Sequence, residues 1–254
     1  MSEQQQSQFP SEVVDLPSNG KVYSKDSPLA SGKIELKYMT AKEEDILTSE
    51  NLIKKGVVIT KLLDSLILTK GISTSDLVLG DKNAVMVAAR ILAYGPKYEA
   101  SVTDPKTGDL INVTFDLTEC PFKKLPEEIE LSEHGYEFTL PVSKKVIKYN
   151  ILTGKDEDDI AIELKRINKI SHGASPEIST RLRYLIKAVD GDSSPDVINN
   201  FSKNILARDS LAFRNEVKRV SPDIDLTQEV NLGGEMVEVA IPMTANFFWP
   251  NSEI

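Results

Sequence analysis

This chain has few of the residues that usually carry catalytic chemistry. Its 254 residues hold one cysteine, Cys120, one tryptophan, Trp249, and two histidines, His134 and His172. A single cysteine excludes an internal disulfide framework and fits a reducing compartment, where Cys120 reads as a partly buried structural thiol. As a nucleophile it would need a neighbouring base, and neither histidine stands in a recognisable signature with it. Cys120-Pro121 has the look of half a metal knuckle, but about three further Cys or His ligands would be required and are missing. His134-Gly135 and His172-Gly173 read as loop residues. The sequence therefore points to no catalytic residue, no metal and no cofactor.

Positive charge is also scarce. Thirty Lys and Arg face 39 Asp and Glu, a net charge of −9, which argues against a protein that neutralises phosphates along a nucleic acid. The densest basic run, Lys144, Lys145 and Lys148, reads as a guard on a strand edge. No apolar run approaches the roughly 20 residues of a membrane-spanning helix. The longest, Val57 to Leu68, is broken by Thr60, Lys61, Asp64 and Ser65. The first ten residues lack the basic and apolar regions of a secretory signal, so a cytosolic protein is expected. Phosphate-binding glycine loops are absent too, Gly233-Gly234 reading as a hairpin turn. Asp156-Glu157-Asp158-Asp159 lacks the alternation and distant glutamate of a calcium loop, and acidic residues in a first helical turn explain it better.

What the sequence does contain is the pattern of an α+β fold: short N-terminal strands plus helices, a central antiparallel meander, and a C-terminal helical segment closed by a β-hairpin. Residues 1–12 read as a disordered tail, 13–152 as an α+β domain with a β-rich second half, and 153–254 as a mostly helical region ending in a hairpin and aromatic tail. Val13, Val14 and Leu16 lead into the turn Pro17-Ser18-Asn19-Gly20 and then Tyr23. Ile34, Leu36 and Tyr38 alternate as one buried strand face. Thr40 with Glu43 forms a capping box that opens a helix running towards Gly56. A second helix is expected over Val57 to Lys70, closed by Gly71. A third, over Lys82 to Tyr94, is capped by Gly80-Asp81 and stopped by Gly95-Pro96.

Tyr98–Thr103 and Leu110–Phe115 alternate around a tight Asp104–Gly108 turn, and Tyr136–Val142 and Val146–Leu152 around Ser143–Lys145. Together they predict one meander over about 97–152. Helices follow over Asp156–Ile170, about 177–189, 196–206 and Ser210–Val220, two of them announced by Ser175-Pro176 and Ser194-Pro195. Phe247-Phe248-Trp249-Pro250 places three large apolar side chains in a row. Aromatic residues dominate interface anchors, and they also close cores, so the tail reads either as a partner-binding anchor or as the lid of the last β element.

Leu16-Pro17-Ser18, Gly20, Tyr23, Met39-Thr40, Glu43-Glu44-Asp45-Ile46-Leu47 and the closing Phe247-Phe248-Trp249-Pro250 resemble, in identity and order, the T-even-type baseplate hub and hub-assembly proteins of contractile-tail phages. Ile170-Ser171-His172-Gly173 and Ser221 to Asp225 are similar to parts of the same proteins. The resemblance implies a non-enzymatic structural or chaperone-like protein that binds other baseplate hub or tail proteins. Assembly would take place in the host cytoplasm, with the virion baseplate as a further location. It also implies partner contacts at Phe247, Phe248, Trp249, Pro250, Leu16 and Tyr23, with a second copy of the chain as another candidate partner and neither nucleic acid nor membrane among them. The competing reading is a phage-encoded hydrolase using acidic residues of the middle domain, for which a deep pocket with paired carboxylates would be the sign.

Overall fold

A computed structural model describes residues 10–104, 106–170, 175–232, 234–243 and 247–249. The fold is α+β. In chain order it runs β1 (Ser11–Asp15), β2 (Lys33–Lys37), α1 (Ala41–Leu47), α2 (Glu50–Lys55), α3 (Val58–Leu66), α4 (Leu79–Tyr94), β3 (Lys97–Thr103) and β4 (Leu110–Asp116). It continues through β5 (Tyr136–Thr139), β6 (Val146–Tyr149), α5 (Gly154–Ile170), α6 (Glu177–Leu185), β7 (Ile186–Val189), α7 (Pro195–Asn204), α8 (Ala207–Val220), β8 (Thr227–Leu232) and β9 (Glu235–Ala240).

β1 and β2 pair antiparallel, Ser11 opposite Lys37 and Glu12 opposite Leu36. These two residues were expected in a disordered tail; their backbone groups are instead spent on the ladder, and only residues 1–9 of that tail lie outside the described residues. Ile34 and Leu36 turn inward, as the alternation requires. α1 opens where Thr40 and Glu43 place it. The Glu43 carboxylate accepts the Thr40 N–H at 3.0 Å, the Thr40 hydroxyl at 2.6 Å and the Lys37 ammonium at 2.8 Å. The helix expected to continue to Gly56 is two helices, because Thr48 bonds back to the Glu44 carbonyl at 3.1 Å and Ser49 turns extended to restart the chain as α2. α3 stops at Leu66, short of the expected Lys70. Beyond it the chain runs along β2, with the Leu68 N–H on the Glu35 carbonyl at 2.8 Å, so strand-edge pairing outcompetes another helical turn.

The central stretch is not one meander. β3 pairs only with β4, while β5 and β6 form a separate sheet with β7. The Leu117–Gly135 connection, broken by Pro121 and Pro126, keeps the two hairpins apart. The third strand, Ile186–Val189, had been expected as the end of a helix; backbone pairing with β6 pulls it into extended form. α5 begins at Gly154, with Asp156 accepting the Thr153 N–H and hydroxyl, each at 2.8 Å, so that acid serves a helix start. α6 has Pro176, not Ser175, at its N-cap.

The buried apolar side chains form two cores. The first joins β1 to β4 and α1, α3 and α4 with the far end of the chain, including Val230, Leu232, Ile241, Phe247 and Phe248. The second lies within the intervening segment, around Leu140, Ile147, Tyr149, Ile160, Leu182 and Phe213. The apolar clusters thus divide the chain along a different line from the 13–152 and 153–254 split, since the C-terminal hairpin returns to the first core.

Candidate partner-binding surfaces

The turn that follows β1 owes its shape to local constraints. Asn19 and Gly20 both have positive φ, 48° and 76°. A Cβ at Gly20 would lie 2.4 Å from the Ala30 carbonyl oxygen, so no side chain fits there. The turn delivers Ser18 and Tyr23 to Asp81 in the first turn of α4. The Ser18 N–H and hydroxyl donate to the two Asp81 carboxylate oxygens at 2.9 and 2.6 Å, and the Tyr23 hydroxyl donates at 2.6 Å. The Tyr23 oxygen in turn accepts the Val78 N–H at 3.0 Å.

Asp81 was expected to cap α4. It is wholly buried and α4 starts two residues before it, so it receives the turn instead of capping the helix. Burial pushes its carboxyl above the usual range against the hydrogen bonds from Ser18 and Tyr23, and burial together with the Asp81 charge pushes the Tyr23 phenol upward. Every oxygen of this carboxylate is engaged inside the chain. The arrangement is a latch, closed to a substrate.

Two of the residues expected at partner contacts, Leu16 and Tyr23, belong to this arrangement. Leu16 is fully buried in the first core, and the Tyr23 hydroxyl is committed to Asp81 and Val78. The aromatic tail is also internal. Phe247 and Phe248 are each 2% exposed. Phe247 meets Tyr98 edge-on at 5.0 Å and Phe248 at 5.2 Å, while the Tyr98 hydroxyl donates to the Pro242 carbonyl at 2.9 Å. Trp249 is half-buried against the same core, and Pro250 lies outside the described residues. Of the two readings of this tail, lid and anchor, the side chains adopt the lid; two large rings remove more apolar surface by folding onto Tyr98 than any exposed pose would.

The remaining candidates for chemistry are quiet. Cys120 is buried, which pushes its thiol up, and it accepts a weak hydrogen bond from Gln228 at 3.6 Å. His134 is exposed, and His172 lies outside the described residues. Among the described residues no group of His, Cys, Asp or Glu converges as metal ligands, and no helix is long and apolar enough to cross a membrane. Buried Asp209 accepts the Val142 and Ser143 N–H groups at 2.8 and 3.0 Å and so fixes the β5–β6 turn.

An open groove of about 750 Å³ runs between the two cores, walled by α6 and α8 and floored by aliphatic side chains such as Leu79, Leu152, Leu182 and Leu185. Ile178, 52% exposed, stands at its mouth. Glu157 and Glu177 are both paired with Arg181. Lys123 donates to the Lys218, Ser221 and Arg219 carbonyls and thereby closes the end of α8. Arg214 and Lys218, one turn apart on α8, are exposed, and no carboxylate of the described residues pairs with either. Sequence reasoning missed this groove because its walls come from segments far apart in the chain. One signal was present: Ile178, Leu182 and Leu185 form a single stripe on α6, and the stripe extends past what the second core covers.

The family model described as T4 bacteriophage base plate protein matches residues 10–249. The chain belongs to this family. No curated protein and no solved structure gives a significant match. The match spans both cores and nearly all described elements, so baseplate membership applies to the whole fold rather than to one half of it. Other phage tail and baseplate proteins are accordingly its partners, and the virion baseplate is the structure it is associated with.

Proposed function

We propose that this baseplate protein acts by binding, as a structural or chaperone-like component in the assembly of the baseplate hub in the host cytoplasm, without turning over a substrate. The family match over residues 10–249 carries the proposal. The spending of the buried acids supports it: Asp81 on Ser18 and Tyr23, Glu43 on Thr40 and Lys37, and Asp209 on a turn. A hydrolase needs a carboxylate that faces a pocket and a second group converging on it. Asp81 has the raised carboxyl such a reading would look for, yet it is sealed beneath the turn that it holds.

The test is a phage in which this gene is interrupted. Electron microscopy of infected-cell lysates should show an arrest before complete baseplates, with the arrest relieved by the wild-type gene in trans. Tails of normal number and form in its absence would overturn the proposal. Mass spectrometry of purified particles beside the lysate then separates the two finer roles. Enrichment in particles marks a resident hub subunit, and presence in lysate alone marks an assembly factor.

A further inference from the structure

We propose that the groove between α6 and α8 receives an amphipathic segment of another baseplate protein, aliphatic on one face and acidic along its flank. This rests on the binding role argued above and names the chemistry of the partner. The aliphatic floor sets the first requirement. Leu182 and Leu185 face inward, while Ile178, next on the same stripe, is 52% exposed at the mouth, so the apolar surface of α6 continues into solvent without a cover from this chain. A helix laid along the groove would meet it with aliphatic side chains at i, i+4 and i+7.

The charges set the second requirement. Around the groove each acid has a partner within the chain. Glu157 and Glu177 face Arg181, Asp223 accepts from the Asn83 amide at 3.0 Å and the Ile224 N–H at 2.9 Å, and Asp225 accepts from the Thr227 N–H and hydroxyl at 3.1 and 2.6 Å. Of the cations, Lys123 and Arg181 are spent. Arg214 and Lys218 remain, at i and i+4 on the α8 wall, where both lie on one face of the helix. An acidic flank on the incoming segment complements them, and a basic one is repelled. Nucleic acid would satisfy the two cations but offers no aliphatic side chains for the floor.

The experiment uses the full-length chain and two labelled synthetic peptides of about four helical turns. One carries leucines at i, i+4 and i+7 flanked by glutamates, and the other has lysines in place of the glutamates; a scrambled glutamate peptide is the control. Fluorescence anisotropy should show the glutamate peptide binding and the scrambled and lysine peptides binding at least tenfold more weakly. Ile178→Asp, at an exposed site, should abolish binding with the thermal melt unchanged. The double variant Arg214→Glu with Lys218→Glu should reverse the preference toward the lysine peptide. The inference is overturned if neither peptide binds, if the scrambled peptide binds equally, or if charge reversal leaves the preference unchanged. Self-association of the chain that Ile178→Asp abolishes would also overturn it, making a second copy the occupant. In infected cells, Ile178→Asp should fail to relieve the arrest of the interrupted gene. If it relieves the arrest as the wild type does, the groove inference falls and the hub role stands; if the gene is dispensable, the hub role falls.

Discussion

Gly80→Ala sets two opposed effects against each other at the seam between α4 and the segment after α8. Gly80 lies in the first turn of α4, where alanine would ordinarily gain up to about 1 kcal/mol over glycine in helix propensity. A Cβ at that position, however, would lie 1.9 Å from the Pro222 carbonyl oxygen and 2.7 Å from the Asp223 Cα. Both are backbone atoms, so no side-chain rotation relieves the contact and the 222–223 segment must withdraw by more than an ångström. Withdrawal loosens the Asn83–Asp223 hydrogen bond at 3.0 Å and the backbone pairing of residues 121–123 with 223–225, at 2.7 and 2.8 Å. Overpacking costs about 1–3 kcal/mol and each lost hydrogen bond about 1 kcal/mol more, so the clash wins and the variant should be roughly 2–4 kcal/mol less stable. For a chain of this size that lowers the melting temperature by roughly 10 °C. Equilibrium urea unfolding is the assay, with Asn83→Ala as the reference that removes the hydrogen bond alone. A Gly80→Ala protein as stable as the wild type, or no less stable than Asn83→Ala, would refute the close approach.

Other substitutions test the latch, the lid and the first helix. Asp81→Asn replaces one acceptor oxygen by an amide nitrogen that cannot accept, facing either the Ser18 N–H or the Ser18 and Tyr23 hydroxyls, and should cost about 2–4 kcal/mol in urea unfolding; a loss below about 0.5 kcal/mol (roughly the surface-substitution range) would mean that the turn is not held there. Tyr23→Phe strands the Val78 N–H and should cost about 1–3 kcal/mol. Phe247→Ala removes a ring packed on Tyr98 and Phe248 and should cost about 3–5 kcal/mol; a variant that melts like the wild type while losing partner binding would favour the anchor reading over the lid. Burial raises the Glu43 carboxyl, but bonds from Lys37 and Thr40 outweigh it and hold the group below its usual value. Its stabilisation is therefore full above the ordinary glutamate range and is lost as pH falls through the lowered folded value. Glu43→Gln should be less stable than the wild type at pH 7, with the gap closing in acid; a gap independent of pH would sink the assignment.

Local signals were legible in the sequence and distant ones were not. The start of α1 was readable because Thr40 and Glu43 satisfy one another's backbone within a single turn. The β3–β4 hairpin was readable from alternation around one tight turn. β7 was misread for a physical reason: Leu182, Leu185, Ile186 and Val189 continue a helical stripe, and only pairing with β6 selects the extended form. Asp81 was misread as a cap because its partners lie about sixty residues away in Ser18 and Tyr23. The Leu-Pro-Ser turn was recognisable before its contacts were; Ser18 and Tyr23 bond to Asp81 of α4. Phe247 and Phe248 are likewise buried, Phe247 against Tyr98 on β3, a strand from the middle of the chain. The groove needed five separated segments and left only the overlong apolar stripe of α6 as a trace.

The central claim is that the protein works through contacts with other baseplate proteins. Chemical cross-linking of the full-length chain in infected cells, followed by mass spectrometry of the cross-linked peptides, tests it most directly. The account predicts cross-links joining this chain to baseplate hub proteins, with lysines around the α6–α8 groove, Lys218 foremost, among the linked positions. Cross-links confined to the chain itself, in cells where baseplates are assembling normally, would contradict it.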